Sequence, residues 1–154
     1  MKKKTKITLI VGAAVLCVLL AIPAVFFYAG VIQGPRSMAE IYEERWNIDL
    51  PDGIQEVYAA ESEKGFTGDG TDYTVYTVEN REDAFFSDFS ENPDEAFIED
   101  FEEVAARNLK DVPQAQYPDW SKPYQWKRMT QQLDEIFFVW TPDSGTLYIL
   151  EEKI

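Results

Sequence analysis

Between Ile7 and Tyr28 the chain carries no charged residue, and Lys2, Lys3, Lys4 and Lys6 stand just before that run. A helix rises about 1.5 Å per residue, so about 20 apolar residues cross a hydrocarbon core of roughly 30 Å. The run is long enough for one crossing, and the lysines favour the cytoplasmic side. The expected layout is a basic cytoplasmic tail over residues 1–6 and a transmembrane anchor in the lipid bilayer over 7–28. A linker and stalk helix over 29–46 and an extracytoplasmic domain over 47–154 follow.

The alternative is a signal peptide whose cleavage releases a secreted protein. Such a peptide has an apolar core of about 7–15 residues and ends in a small-x-small site. Here the core is longer. A cut after Ala29 would put Phe27 where a small residue is needed, and a cut after Ala24 would put Ile22 there. Cys17 invites a lipid-attachment reading, but Leu16 stands where that site needs a small residue. Cys17 then reads as an ordinary apolar residue of a membrane helix. Pro23, near the outer end, kinks such a helix without breaking the span.

Four of the 14 basic residues precede the run, leaving ten against all 28 acids. So acidic a domain repels phosphate backbones, which argues against nucleic-acid binding and for a basic protein partner, a polycation or divalent cations. Solubility alone is the plainer explanation. The single cysteine lies in the anchor, so the outer domain has no disulfide; this suits a bacterial cell surface better than a stapled secreted fold. The chain has no histidine. That removes Ser-His-Asp and Cys-His nucleophile systems, the usual zinc sites and the common near-neutral general base.

After the Gln33–Arg36 break, Ser37 and Glu40 form a capping-box pattern opening a helix over about Met38–Trp46, with Ile41, Tyr42 and Trp46 as apolar contacts. Pro51-Asp52-Gly53 marks a turn. Gln55–Ala60 and Thr71–Glu79 read as strands of a hairpin with a long glycine-bearing loop. Asn80 can cap a helix running to about Phe89. Asn92-Pro93-Asp94-Glu95 reads as cap, N1 proline and N3 acid of a second helix, ending near Leu109. Phe97, Phe101, Val104 and Ala105 fall on one stripe of it. Tyr124–Thr130, Glu135–Thr141 and Thr146–Glu152 read as strands, the last two joined by a Pro142–Gly145 turn. Ile136, Phe138 and Trp140 share one face, and Phe137 and Val139 the other; with both faces apolar, these are central strands. The helices cover one face, and the second must meet the stalk, loops or a partner. The fold class is α+β: an N-terminal transmembrane helix, then one domain with an antiparallel sheet of about four to five strands packed with two helices.

Phe66-Thr67-Gly68-Asp69-Gly70-Thr71-Asp72 is the most unusual local string. Its plain reading is a loop shaped by glycine. Its sharper readings are a partner contact through Phe66 and Asp69, or a Ca²⁺ site built on Asp69 and Asp72 with Glu61 or Glu63, although the spacing is not that of an EF-hand. Tyr117, Trp120, Tyr124 and Trp126 could stack on sugar rings, meet a protein or simply pack a core. Lys122, Lys127 and Arg128 form the one basic cluster of the outer domain, free to pair with the acidic helix. Among 28 acids some carboxylate pair always sits at a hydrolase-like separation, so that pattern has no specificity.

Leu50–Ile54, Gly65–Gly70 and Leu147–Glu151 together resemble small membrane-anchored or lipoprotein-like proteins of Gram-positive bacteria, a group of unknown function. The resemblance implies a cell-surface location and supplies no catalytic residues. Leu16 before Cys17 departs from its lipoprotein members. The expected function is a non-enzymatic, membrane-tethered interaction module, with an inhibitor or immunity-type role as one form. Its partner-binding candidates are Phe66, Asp69, Glu99, Glu102, Glu103, Trp120 and Trp126, and it needs no cofactor. A Ca²⁺- or wall-polymer-binding domain is the alternative, and a carboxylate-dependent hydrolase a third.

Overall fold

The computed structural model describes residues 36–154 apart from residues 64, 66 and 67. The expected anchor over 7–28, the lysine tail and Phe66 lie outside the described residues. Among those described, no helix is long and apolar enough to cross a membrane.

Helix α1 is Met38–Trp46. Strands β1 (Gln55–Glu61) and β2 (Gly70–Thr77) precede α2 (Glu95–Asn108), and β3 (Gln125–Gln131), β4 (Asp134–Thr141) and β5 (Thr146–Lys153) follow it. The five strands form one sheet in the order β1-β2-β5-β4-β3, every neighbouring pair antiparallel. A register shift between Glu56 and Tyr58 bulges β1, and this edge strand is mostly exposed. The fold is α+β, as expected.

Residues Tyr42–Ile154 cluster as one unit, separate from Met1–Ile41. In the first unit the described residues hold the start of α1, where the capping box is realised. The Ser37 amide donates to Glu40 Oε2 at 3.0 Å, and the Glu40 amide donates to Ser37 Oγ at 3.2 Å.

Alternation on the strands sets the two faces of the sheet. Tyr73, Val75, Phe137, Val139 and Leu150 point to one side, where Phe97, Phe101, Val104 and Ala105 of α2 cover them. This is the stripe expected from the sequence, and Phe101 is fully buried. Thr74, Tyr76, Ile136, Phe138, Trp140, Leu147, Ile149 and Glu151 point to the other side, and most are fully buried there. Tyr42 and Trp46 of α1 cover part of that side and are 0 % and 5 % exposed. Phe86 covers another part, stacked on Trp140 with ring centroids 4.1 Å apart.

Two local expectations are corrected. The helix expected from Asn80 to Phe89 is a 3-10 turn of five residues, Ala84–Asp88, capped by Asp83, whose carboxylate accepts from the Phe85 amide. The chain must be extended by Ser90, because Ser90 and Trp126 exchange backbone hydrogen bonds of 2.8 and 2.9 Å at the edge of β3. Too few residues remain between cap and bridge to offset helix nucleation. The cap of α2 is Asp94 rather than Asn92: its carboxylate accepts from the Ala96 and Phe97 amides. Asn92 is held outside the helix, where its carbonyl accepts from Trp126 Nε1 at 2.8 Å.

Candidate binding surface

Helix α2 turns its apolar stripe to the sheet and thereby turns its acids outward. Glu95, Glu99, Glu102 and Glu103 surround the half-buried Ile98 in a shallow concavity of about 500 Å³. Glu103 lies 3.6 Å from Arg107, one turn on. Glu102 Oε1 accepts from Trp120 Nε1 at 2.8 Å. Neither Glu95 nor Glu99 has a cationic partner among the described residues.

Trp120 belongs to the segment after α2, which crosses the α2 side of the sheet near the β4–β5 turn. Its ring meets Phe101 and Tyr124 nearly at right angles, with centroids 5.5 and 5.2 Å away. Tyr117 stacks on Tyr73 at 5.8 Å, and the Tyr73 hydroxyl donates to the Gln116 carbonyl at 2.5 Å. These contacts tie the segment down but leave an open groove of about 1050 Å³ between it and the turn. Tyr117, Trp120 and Tyr148 line the groove together with Asp119, Thr141 and Ser144.

The electrostatics of the groove are balanced. Asp119 accepts from the amide and hydroxyl of Ser121 and sits 3.3 Å from Lys122. These donors, Ser121 first, hold its carboxyl below the usual range. At the turn, Arg81 Nη1 donates to the carbonyls of Pro142 and Asp143. That approach requires Gly145: its φ is +66°, and a Cβ there would lie 3.0 Å from Arg81 Nε. Burial raises the Tyr148 hydroxyl above its ordinary range, against the opposing effect of the neighbouring Thr141 and Thr146 side chains.

The expected site residues do not converge on one patch. Trp120 joins Glu102, and Glu99 and Glu103 lie on the same helix face. Trp126 instead packs its ring 4.4 Å from that of Phe97 and spends its Nε1 on Asn92. Tyr124 is buried, its hydroxyl accepting from the Asp94 amide. Asp69 is exposed and lines a different concavity of about 650 Å³ with Arg107, Asn108 and Lys110, at the other end of α2. Eight residues of helix separate Glu99 from Arg107, about 12 Å along the axis. Asp72 is buried in β2 and ion-paired with Lys153. Asp69 and Asp72 therefore differ in exposure. Among the described residues, no group of three or more His, Cys, Asp or Glu is placed to hold a metal ion.

The basic cluster is split by strand alternation. Lys127 reaches Asp88 at 2.7 Å on one side of the sheet. Arg128, on the other, reaches Asp100 of α2 at 2.7 Å and Glu135 at 2.6 Å, with Cζ 4.9 Å over the Phe137 ring. Burial alone would lower the Arg128 pKa; its two carboxylate partners raise it.

Sequence reading missed Tyr148 and the β4–β5 turn as walls of the groove. It also missed Glu151, a carboxylate with 0 % exposure on the α1 side. Its Oε1 accepts from Trp46 Nε1 at 2.7 Å and Arg45 Nη1 at 2.9 Å, while Oε2 has no hydrogen-bond partner among the described residues. No family model, no curated protein and no solved structure matches the chain.

Proposed function

We propose that the chain is a non-enzymatic, membrane-tethered extracytoplasmic module that binds a basic segment of a protein partner on the outer face of α2. The tether is the uncharged run over residues 7–28 behind its lysines, in the manner of the anchored Gram-positive proteins the sequence resembles. One observation carries the binding reading: a half-buried isoleucine, Ile98, is ringed by four carboxylates, of which only Glu103 has a cation beside it among the described residues. Apolar contact at the centre with like charge around it suits a partner that presents a lysine- or arginine-rimmed apolar side chain.

The calcium alternative is weaker, because Lys153 already neutralises Asp72. The hydrolase alternative finds carboxylates in a concave site at Glu61, Glu63, Asp69 and Glu152, but Arg107, Lys110 and Lys153 line that site with them.

Crosslinking and affinity capture in the native cell envelope, with the full-length chain as bait, tests the proposal. A basic protein should be captured, released by high salt, and lost with the Glu99→Lys, Glu102→Lys, Glu103→Lys variant while circular dichroism stays unchanged. Capture that survives the charge reversal, or capture of an acidic protein only, would sink it.

A further inference from the structure

We propose that the groove between residues 114–123 and the β4–β5 turn is a second site, which takes a pyranose ring of a neutral oligosaccharide. Three observations lead there. First, the groove is open and aromatic without being an unfinished core. Tyr117, Trp120 and Tyr148 are each half-buried, and Tyr117 has one ring face occupied by Tyr73, leaving only its other face for a ligand. Flat aromatic faces carry partial negative charge and offer large area with few torsions to fix. The C–H face of a pyranose is their complement.

Second, the rim is rich in neutral hydrogen-bonding groups. Gln114, Ser121, Thr141, Ser144 and Thr146 line it beside Asp119, Lys122 and Asp143. Ser144 links the Thr141 and Thr146 hydroxyls and Ser121 donates to Asp119, so each hydroxyl keeps part of its capacity for a ligand. A hydroxyl side chain both donates and accepts, and an amide supplies donors and an acceptor side by side. That matches a ring whose hydroxyls each need both, whereas a carboxylate or cation ligand would call for a charged rim.

Third, the local charge differs from that of the domain. Ten cations face 28 acids outside the anchor, yet here Asp119 is paired with Lys122, and the Arg81 guanidinium holds the backbone carbonyls of Pro142 and Asp143 at the neighbouring turn. A cationic segment gains most at the uncompensated acids of α2, and a neutral ligand gains most where charges already cancel. The two sites meet at Trp120, whose ring lines the groove and whose Nε1 donates to Glu102.

The test uses the full-length chain in lipid nanodiscs, titrated with cellohexaose, chitohexaose and maltohexaose and followed by tryptophan fluorescence and calorimetry. At least one should bind, with an affinity indifferent to salt. Trp120→Phe keeps a ring against Phe101 and Tyr124 but narrows the platform, and should weaken binding about tenfold. Gln114→Ala, at an exposed rim position, should weaken it by a smaller factor with no change in melting temperature. Glu99→Lys should leave it unchanged. Failure of all three sugars to bind, binding indifferent to both groove variants, or displacement of the sugar by hexalysine would each overturn the proposal. A chain that binds sugar but captures no basic partner would contradict only the α2 reading.

Discussion

The two faces of the sheet are closed by different means. On one, a single helix of 14 residues lays four apolar side chains in a stripe. Arg128 pairs Asp100 and Glu135 at partly exposed positions, and the buried Glu152 is answered by both Arg107 and Asn108 at the end of the same helix. On the other, the second half of a nine-residue helix and a five-residue 3-10 turn share the work, and a carboxylate is buried beneath them. The long helix supplies enough apolar area to hold itself. The short pieces are fixed at points: Phe86 stacked on Trp140, the Tyr42 hydroxyl with Thr74 Oγ1 at 3.0 Å, and Arg45 with Trp46 on Glu151. Point fixing makes that face depend on single polar groups in a way the first does not.

Alkaline pH should strike both faces, with the largest effect. Burial raises the hydroxyls of Tyr42 and Tyr76 on the α1 side and Tyr73 on the α2 side far above their ordinary value. Their folded pKa lies above the unfolded one, so stability is unaffected below about pH 10 and falls as pH climbs past it. Each such tyrosine withdraws about 1.4 kcal/mol per pH unit in that window. Tyrosinate absorbance should therefore appear for these three only together with loss of the near-ultraviolet dichroism, in one transition. Ionisation of one face ahead of the other would show that the faces open separately.

Charge removal should separate the faces. Arg45→Ala leaves Glu151 buried with only Trp46 to answer its charge, and a broken buried pair costs about 3 kcal/mol. Arg45 is itself 38 % exposed on its side chain, so the loss comes from the carboxylate left behind. Arg128→Ala on the other face breaks two pairs and a ring contact at partly solvated positions and should cost about 1 kcal/mol. Urea melts of the two variants measure the difference, and equal losses would mean that Glu151 is not the fixing point.

Much of the α2 side was legible in the sequence because its signals are local. A stripe at helical spacing, alternation in β4 and β5 and a Pro-Asp-Ser-Gly turn each report on a few neighbouring residues. The α1 side was legible only as a second apolar face needing a cover. Which cover it receives depends on Trp46 meeting Glu151 from 105 residues away, and on Ser90 bridging Trp126 and so cutting the expected helix short. The groove was half legible for the same reason. Tyr117 and Trp120 stood out as aromatics in a proline-rich loop, but Tyr148 reads as one more strand residue until the loop is laid across it. Glu151 sits in register with Leu147 and Ile149, so its orientation followed from alternation, whereas its burial followed from α1.

The finest contrast lies in two tyrosine hydroxyls of β2, three residues apart on opposite faces. The Tyr73 hydroxyl donates to the Gln116 carbonyl and so holds the groove segment against the sheet. The Tyr76 hydroxyl is buried and has no hydrogen-bond partner among the described residues. An unsatisfied buried hydroxyl has lost its water without replacement, so removing it relieves a cost, whereas removing a bonded one strands its acceptor. Tyr73→Phe should lose about 1 kcal/mol and, by freeing residues 114–123, speed amide exchange there. Tyr76→Phe should be neutral or slightly stabilising, with exchange unchanged. A destabilising Tyr76→Phe would reveal a partner for that hydroxyl, such as an ordered water, and the α1 side would then be better satisfied than its direct contacts indicate.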